Sequence, residues 1–257
     1  MHQPRKRFGQ NFLHDPGVVA QLIGAIDPQQ AQKFVEIGPG RGALTIPLLQ
    51  RLAHLDAIEI DRDLAQELRR EHSTSKLTLH EGDALEFDFN RLGPALRVVG
   101  NLPYNISTPL LFHLSQYAGC VLDAHFMLQR EVVQRMCAQA GSSAYGRLSV
   151  MLQYRWNIDW LFDVPPDAFY PAPKVWSSVV RMAPHRKLPY VARDQAIFAE
   201  VVMRAFGHRR KTLRNTLREK LGVSDFEKLH IDPTARGETL AVADFVRIAN
   251  HIDAACA

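Results

Sequence analysis

Cysteine is scarce in this chain. Its 257 residues include three, Cys120, Cys137 and Cys256, odd in number and widely scattered. That spacing excludes a disulfide framework and predicts reduced thiols in a cytoplasmic protein. No Cys-x-x-Cys or His-Glu-x-x-His spacing is present, so no metal is expected. Long apolar runs are missing too, and nothing approaches the roughly 18 residues of a membrane span. The first residues, Met1 to Phe8, are basic without an apolar core segment behind them, which argues against export. Charge of one sign is also lacking, with 31 Lys and Arg against 27 Asp and Glu.

That near-balance conceals an asymmetry. Residues 1–183 hold 18 charges of each sign, whereas residues 184–257 hold 13 positive and 9 negative, so the surplus lies in the last part of the chain. Within it, Gly207 to Lys220 carries six positive charges against one negative. A basic segment on a neutral body is the footprint of a phosphate-backbone partner, although a charge run by itself is more often a solvated face. Arg210, Arg214 and Arg218 recur every four residues beside Leu213, Leu217 and Leu221, which predicts an amphipathic helix over 210–221.

Strands and helices alternate in the first two thirds of the sequence. Apolar runs predict strands at 33–37, 55–60, 77–79, 96–99 and 124–128. Helices are expected at 43–50, 64–71, 109–117 and 130–138, and an N-capped helix follows Asp15-Pro16. That pattern implies βαβ units and a mostly parallel sheet. Two more strands, 160–164 and 177–182, flank a proline-rich stretch. Beyond Pro184–Pro189 the pattern is helical, at 195–206, 210–221 and 240–252.

Two motifs carry the chemistry. Glu36-Ile-Gly38-Pro-Gly40-Arg-Gly42 follows the first strand of the alternating series, and Gly40 and Gly42 allow the backbone to approach a bound nucleoside. The third glycine comes one position too early for a dinucleotide site. Glu59 ends the next strand, where a carboxylate takes ribose hydroxyls, and Asp83 follows the third, where it can meet an adenine amine. Singly, the glycines could mark any tight turn, Glu59 could be solvated and Asp83 could stabilise a turn; their joint order favours a cofactor. The second motif is Asn101-Leu102-Pro103-Tyr104. Adenine N6 is a poor nucleophile because its lone pair is delocalised into the ring. The Asn101 side-chain oxygen and the Leu102 carbonyl can accept from its two N–H groups and draw it toward tetrahedral geometry. Pro103 stiffens the backbone and Tyr104 offers a ring to the base. The plainer alternative is an ordinary strand-ending turn.

Together with Phe8-Gly-Gln-Asn11-Phe-Leu13, Asn105-Ile-Ser-Thr-Pro109, Phe169-Tyr-Pro-Ala-Pro-Lys-Val175 and Phe206-Gly-His-Arg209-Arg210-Lys211, these motifs resemble the bacterial KsgA/RsmA family over nearly the whole chain. The resemblance implies S-adenosylmethionine as cofactor and dimethylation of two adjacent adenosines in the 3′-terminal hairpin loop of small-subunit rRNA. It further implies that Asn11 and Leu13 close over the cofactor, that Gly38 touches it, that Glu59 holds its ribose and Asp83 its adenine, and that Asn101 serves both sites. Phe169 would stack on the target base opposite Tyr104. The expected architecture is a Rossmann-like, doubly wound α/β methyltransferase domain over 1–183. A small all-helical domain over 184–257 would bind RNA through Arg209, Arg210, Lys211, Arg214 and Arg218. The expected partner is the small ribosomal subunit, met by a monomer. Two alternatives stand beside this reading. One is the resistance-type methyltransferase of large-subunit rRNA, whose motif typically reads Asn-Ile-Pro. The other is a non-catalytic RNA-binding assembly factor on the same scaffold.

Overall fold

The runs rich in Val, Ile and Leu become strands because both of their faces are covered. In this computed structural model, which describes residues 10–208 and 210–256, they are β2 (Lys33–Ile37), β3 (Leu55–Glu59), β4 (Leu77–Glu81), β5 (Leu96–Asn101) and β6 (Val121–Gln129). All five lie parallel to their neighbours, and β7 (Trp156–Val164) and β9 (Ser177–Pro184) complete a sheet of order β4-β3-β2-β5-β6-β9-β7. The strand β9 runs antiparallel to β6. The chain proceeds outward from β2 through β3 to β4, then returns to lay β5 on the other side of β2. This reversal opens a crevice at the carboxyl ends of β2 and β5, where doubly wound sheets bind ligands.

Helices α1 (Pro16–Ile26), α2 (Thr45–Leu49), α3 (Arg62–Glu71) and α4 (Ser107–Gln116) connect or flank these strands. Asp15 caps α1 through the Gly17 and Val18 N–H groups, and Pro16 sits at the first helical position, where its missing N–H costs nothing. A buried ion pair ties α1 to the sheet. Arg97 on β5 faces Asp123 on β6 in register and bonds it at 2.8 and 2.9 Å, while also donating to the Ile26 carbonyl at 2.7 Å. Next to it, His125 is buried with neither ring nitrogen hydrogen-bonded, and burial lowers its pKa to about 4.

The chain divides into two compact units, 1–133 with 157–184, and 134–156 with 185–257. One break falls after Pro184. Residues 134–156, expected in the first domain, instead belong to the helical unit. The reason lies in α6 (Arg147–Gln153), a helix absent from the sequence expectation: Val150 and Tyr154 join the apolar core formed by Phe198, Val202, Phe245 and Ile248. That unit also contains α7 (Gln195–Phe206), α8 (Leu213–Thr216), α9 (Val223–Leu229) and α10 (Val242–Cys256), while α5 (Arg130–Cys137) straddles the division.

The expected helix over 210–221 shrinks to the four residues of α8. Its leucines behave as predicted, with Leu213, Leu217 and Leu221 all buried. The backbone does not, because the Leu213 and Arg214 N–H groups donate to the Ala235 and Pro233 carbonyls at 2.8 and 3.0 Å. Arg210, Lys211, Arg214 and Arg218 are exposed. Arg209, Phe8, Gly9 and the basic start fall outside the described residues.

Candidate active site

A cavity of about 320 Å³ opens at the carboxyl ends of β2, β3 and β5, and it collects residues from the early motif, the glycine turn and Asn101–Tyr104, but none from Phe169–Val175. Asn11, Leu13, Gly38, Gly40, Glu59, Asp83, Asn101, Leu102 and Tyr104 all line it. Gly38 and Gly40 have positive φ, +67° and +56°, a conformation that glycine adopts without strain. A Cβ added to Gly38 would meet no atom within 4 Å, so the glycine leaves space in the crevice for a ligand to press against the backbone. Gly100, just before Asn101, is required for another reason. A Cβ there would lie 2.6 Å from the Ile37 carbonyl oxygen, so only glycine lets β5 run this close to β2.

Glu59 is fixed before any ligand arrives. Its Oε2 accepts from the Gly40 N–H at 3.1 Å and its Oε1 from the Asp61 N–H at 2.8 Å. Each oxygen therefore keeps acceptor capacity for a diol. Burial raises its pKa, opposed by these backbone donors. Glu36 lies deeper still. Burial pushes it to about 8, against the opposing 2.6 Å hydrogen bond from Thr45 Oγ1 and with the Glu59 charge adding to the rise. At neutral pH Glu36 is thus a neutral acid beside an ionisable one. Asp83 accepts from the Leu85 N–H at 2.9 Å with one oxygen, so it stabilises its turn and lines the cavity at once.

At the other end of the cavity, Asn101 donates its Nδ2 to the Asn11 carbonyl at 2.9 Å, which leaves Oδ1 as the acceptor. No hydrogen bond to the Leu102 carbonyl is formed among the described residues. Tyr104 is half-buried, and its hydroxyl shares a 2.8 Å hydrogen bond with Ser177 Oγ on β9, which fixes the ring. Burial holds the phenol above its usual range, so it remains protonated.

Phe169 departs from expectation. It lies in β8 (Phe169–Tyr170), which pairs antiparallel with β1 (Phe12–Leu13), placing Leu13 across from Phe169. Alternation along β8 turns Phe169 inward and Tyr170 outward. The Phe169 ring is 3% exposed, in a core cluster with Leu13, Val164 and Val179, and it does not line the cavity. The aromatic sandwich is therefore not assembled here, and Tyr104 alone of the pair faces the crevice.

Other lining residues carry weaker signals in the sequence. Phe12 packs its ring 3.2 Å from where a Gly40 Cβ would stand, and the Arg41 guanidinium lies 4.6 Å from that ring's centre. The sequence signal for this pair is an aromatic in the early motif and a cation inside the glycine turn, and the motif reading missed both. Ser177 has no signal at all, because β9 meets Tyr104 only in the folded chain. Among the described residues no group of three His, Cys, Asp or Glu side chains could hold a metal, and no helix is long and apolar enough to cross a membrane.

Comparison with known proteins agrees with this geometry. Residues 1–254 match the family model described as ribosomal RNA adenine dimethylase. The chain is 60% identical over 253 residues to the ribosomal RNA small subunit methyltransferase A of Aromatoleum aromaticum, covering 98% of this chain and 96% of the relative. It is 57% identical to the protein of the same description from Thiobacillus denitrificans, covering 98% and 99%. Among solved structures, a dimethyladenosine transferase from Plasmodium falciparum superposes with a TM-score of 0.80 at 24% identity over 95% of this chain and 98% of that one. The 23S rRNA methyltransferase ErmE gives 0.72 at 21% identity over 95% and 100%. At these identities the two structures speak for the fold alone.

Proposed function

The chain belongs to the ribosomal RNA adenine dimethylase family, and from that premise we propose that it dimethylates the N6 amines of two adjacent adenosines in the 3′-terminal hairpin loop of small-subunit (16S) rRNA during subunit biogenesis. It is an S-adenosylmethionine-dependent rRNA adenine dimethyltransferase. The cofactor, when bound, supplies an electrophilic methyl group on a sulfonium. Glu59 fits its ribose diol, with two fixed oxygens that each retain a lone pair, and Asp83 fits its adenine amine. Gly38 leaves room for its sugar and amino-acid portion, Gly40 anchors Glu59 through its N–H, and Asn11 and Leu13 cover it.

The observation that carries the reading is the pair of uncommitted acceptors at Asn101 and Leu102, beside a ring that is held in place. Two acceptors on the N6 hydrogens rehybridise the amine toward an in-line nucleophile. The reaction needs no strong base beforehand, because the methylated amine is acidic enough to lose its proton. Proximity and orientation supply most of the acceleration. Tyr104 stacks on one face of the flipped base. Phe169 is buried in the core cluster, so we assign it to the core and not to the second face of the clamp.

Binding to the ribosomal particle falls to Arg209, Arg210, Lys211, Arg214 and Arg218. The protein works as a monomer in the cytoplasm, on the small subunit or its precursor. The test is methyl incorporation from labelled cofactor into isolated, unmethylated small and large subunits. Label confined to small-subunit rRNA is expected. Label confined to large-subunit rRNA would transfer the chain to the resistance-type activity.

A further inference from the structure

Two of the three tryptophans are exposed, Trp160 at 37% and Trp176 at 48%, whereas Trp156 is buried. Large exposed aromatics that share a neighbouring cation mark a surface that meets something. Both lie in the first unit, Trp160 on β7 and Trp176 directly before β9, and Arg130 meets each of them. Asp163 Oδ1 accepts from Trp160 Nε1 at 2.9 Å and from Ser178 Oγ at 2.6 Å, and its Oδ2 lies 3.3 Å from Arg130 Nε. The Arg130 guanidinium stands 5.9 Å from the Trp160 ring centre, and its backbone N–H donates to the Trp176 carbonyl at 3.0 Å. The carboxylate thus orients an indole and a guanidinium side by side.

The position of this fixture matters as much as its composition. Trp176 immediately precedes Ser177, whose hydroxyl holds the Tyr104 phenol at the mouth of the cavity. Arg130 follows the last residue of β6, at the same carboxyl edge of the sheet as Asn101 on β5. We propose that Trp176 and Trp160, joined by Arg130, form a stacking platform for a single-stranded nucleotide next to the target adenosine. This rests on the reading that the substrate is an adenosine drawn out of an rRNA loop. Extruding one base removes a stacking partner from its neighbour, and an indole supplies a replacement for any base identity. A guanidinium against an aromatic face is suited to the adjoining phosphate.

The experiment uses the full chain, unmethylated small subunits for kinetics, and an RNA hairpin with two adjacent loop adenosines for binding. Trp176→Ala should raise the KM for subunits about tenfold, and Trp160→Ala about fivefold, the scale of removing one stacked base. The kcat, cofactor affinity and melting temperature should hold. Trp176→Tyr should recover most of the affinity, since it restores a ring. The hairpin should quench the indole emission of wild type, and less so that of Trp176→Ala, against the constant contribution of buried Trp156. Unchanged KM in both alanine variants, with wild type methylating normally, would overturn the platform and leave the methyltransferase reading intact. Loss of subunit binding with unaltered hairpin binding would also overturn it, because the surface would then take a ribosomal protein. A wild-type dimer that dissociates in Trp176→Ala would overturn it in favour of self-association. Absence of adenosine methylation by wild type would instead remove the reading on which it rests.

Discussion

The two units of this protein treat charge in opposite ways. The first buries Glu36, Glu59, Asp61, Arg97, Asp123 and His125; Glu36 and Glu59 line the crevice, whereas Arg97 and Asp123 pair near the amino ends of β5 and β6. The only buried polar residue described in the helical unit is Ser149, and its core is otherwise apolar. Its charges form surface groups such as Glu200, Arg204, Glu219 and Lys220, with separations of 2.7 to 3.1 Å. Buried charges respond to pH, because their ionisation is coupled to folding. Exposed charges respond to salt, because ions screen them. On the proposed function, chemistry falls to the unit that carries the cost of burying charge, and electrostatic attraction to the unit that does not.

The largest expected effect lies in the first unit. Asn101→Ala should lower methyl transfer by about a hundredfold or more, the scale of losing an oriented polar group at a reaction centre, while subunit binding persists. Single-turnover transfer and a filter-binding assay on the same preparation separate the two, and near-normal turnover would remove the role given to Asn101.

Next come the two aromatics, which the structure sets apart. Phe169→Ala should cost about 3–5 kcal/mol of stability, as core truncations of this size do. Tyr104→Ala should leave stability nearly intact and weaken base capture by about 1–3 kcal/mol. Urea unfolding and KM for the subunit decide this. A Phe169→Ala variant of normal stability but weak capture would put that ring back in the clamp.

A smaller effect concerns pH. The Glu36 carboxyl is raised from 4.5 to about 8, so the folded state retains a proton that the unfolded chain releases. Stability from this group is therefore full below pH 4.5 and declines as pH rises toward 8. His125 has the opposite sign: lowered from 6.5 to about 4, it costs stability as pH falls through that range. The two overlap below pH 6.5; Glu59, raised in the same direction, is present in both proteins, so comparison with a Glu36 variant above that pH isolates Glu36. Glu36→Gln should gain about 2 kcal/mol over wild type between pH 6.5 and 8, from roughly 1.4 kcal/mol per pH unit. A difference that does not vary with pH would mean Glu36 is already ionised at neutrality.

The smallest effect belongs to the helical unit. Replacing Arg210, Arg214 and Arg218 with Gln should flatten the plot of log affinity for subunits against log salt. The expected change in slope is roughly 0.7–0.9 for each phosphate that an arginine no longer neutralises. Cofactor affinity should be unchanged. Superimposable slopes would reduce these arginines to a solvated face and erase the division of labour between the units.

How much of this was legible in the sequence depended on the range of the interaction. Strands β2, β3, β5 and β6 could be read because each is a short apolar run buried on both faces, β4 because its leucines alternate on the covered face of an edge strand, and the position of Asn101 followed from where β5 had to end. The helix at 210–221 was misjudged because periodicity reports which side chains are buried and not how the backbone is bonded. Leu213, Leu217 and Leu221 are inside as expected, yet α8 starts only at Leu213, where the Leu213 and Arg214 N–H groups bond to the 233–235 segment. The β1–β8 pair joins residues more than 150 positions apart and is two residues long, too short for any alternation to register. That pairing decides the fate of Phe169, which a motif-based reading sends to the target base and the fold sends to the core.

The central claim is that the acceptors at Asn101 and Leu102 serve adenine N6 in small-subunit rRNA. Its most direct test is to incubate the protein with labelled S-adenosylmethionine and unmethylated small subunits, then digest the rRNA and identify each modified nucleoside and its position. The account predicts N6,N6-dimethyladenosine at two adjacent positions in the 3′-terminal hairpin loop, and no label elsewhere. Methyl groups on a ring nitrogen, on ribose, or at an adenosine outside that loop would contradict it.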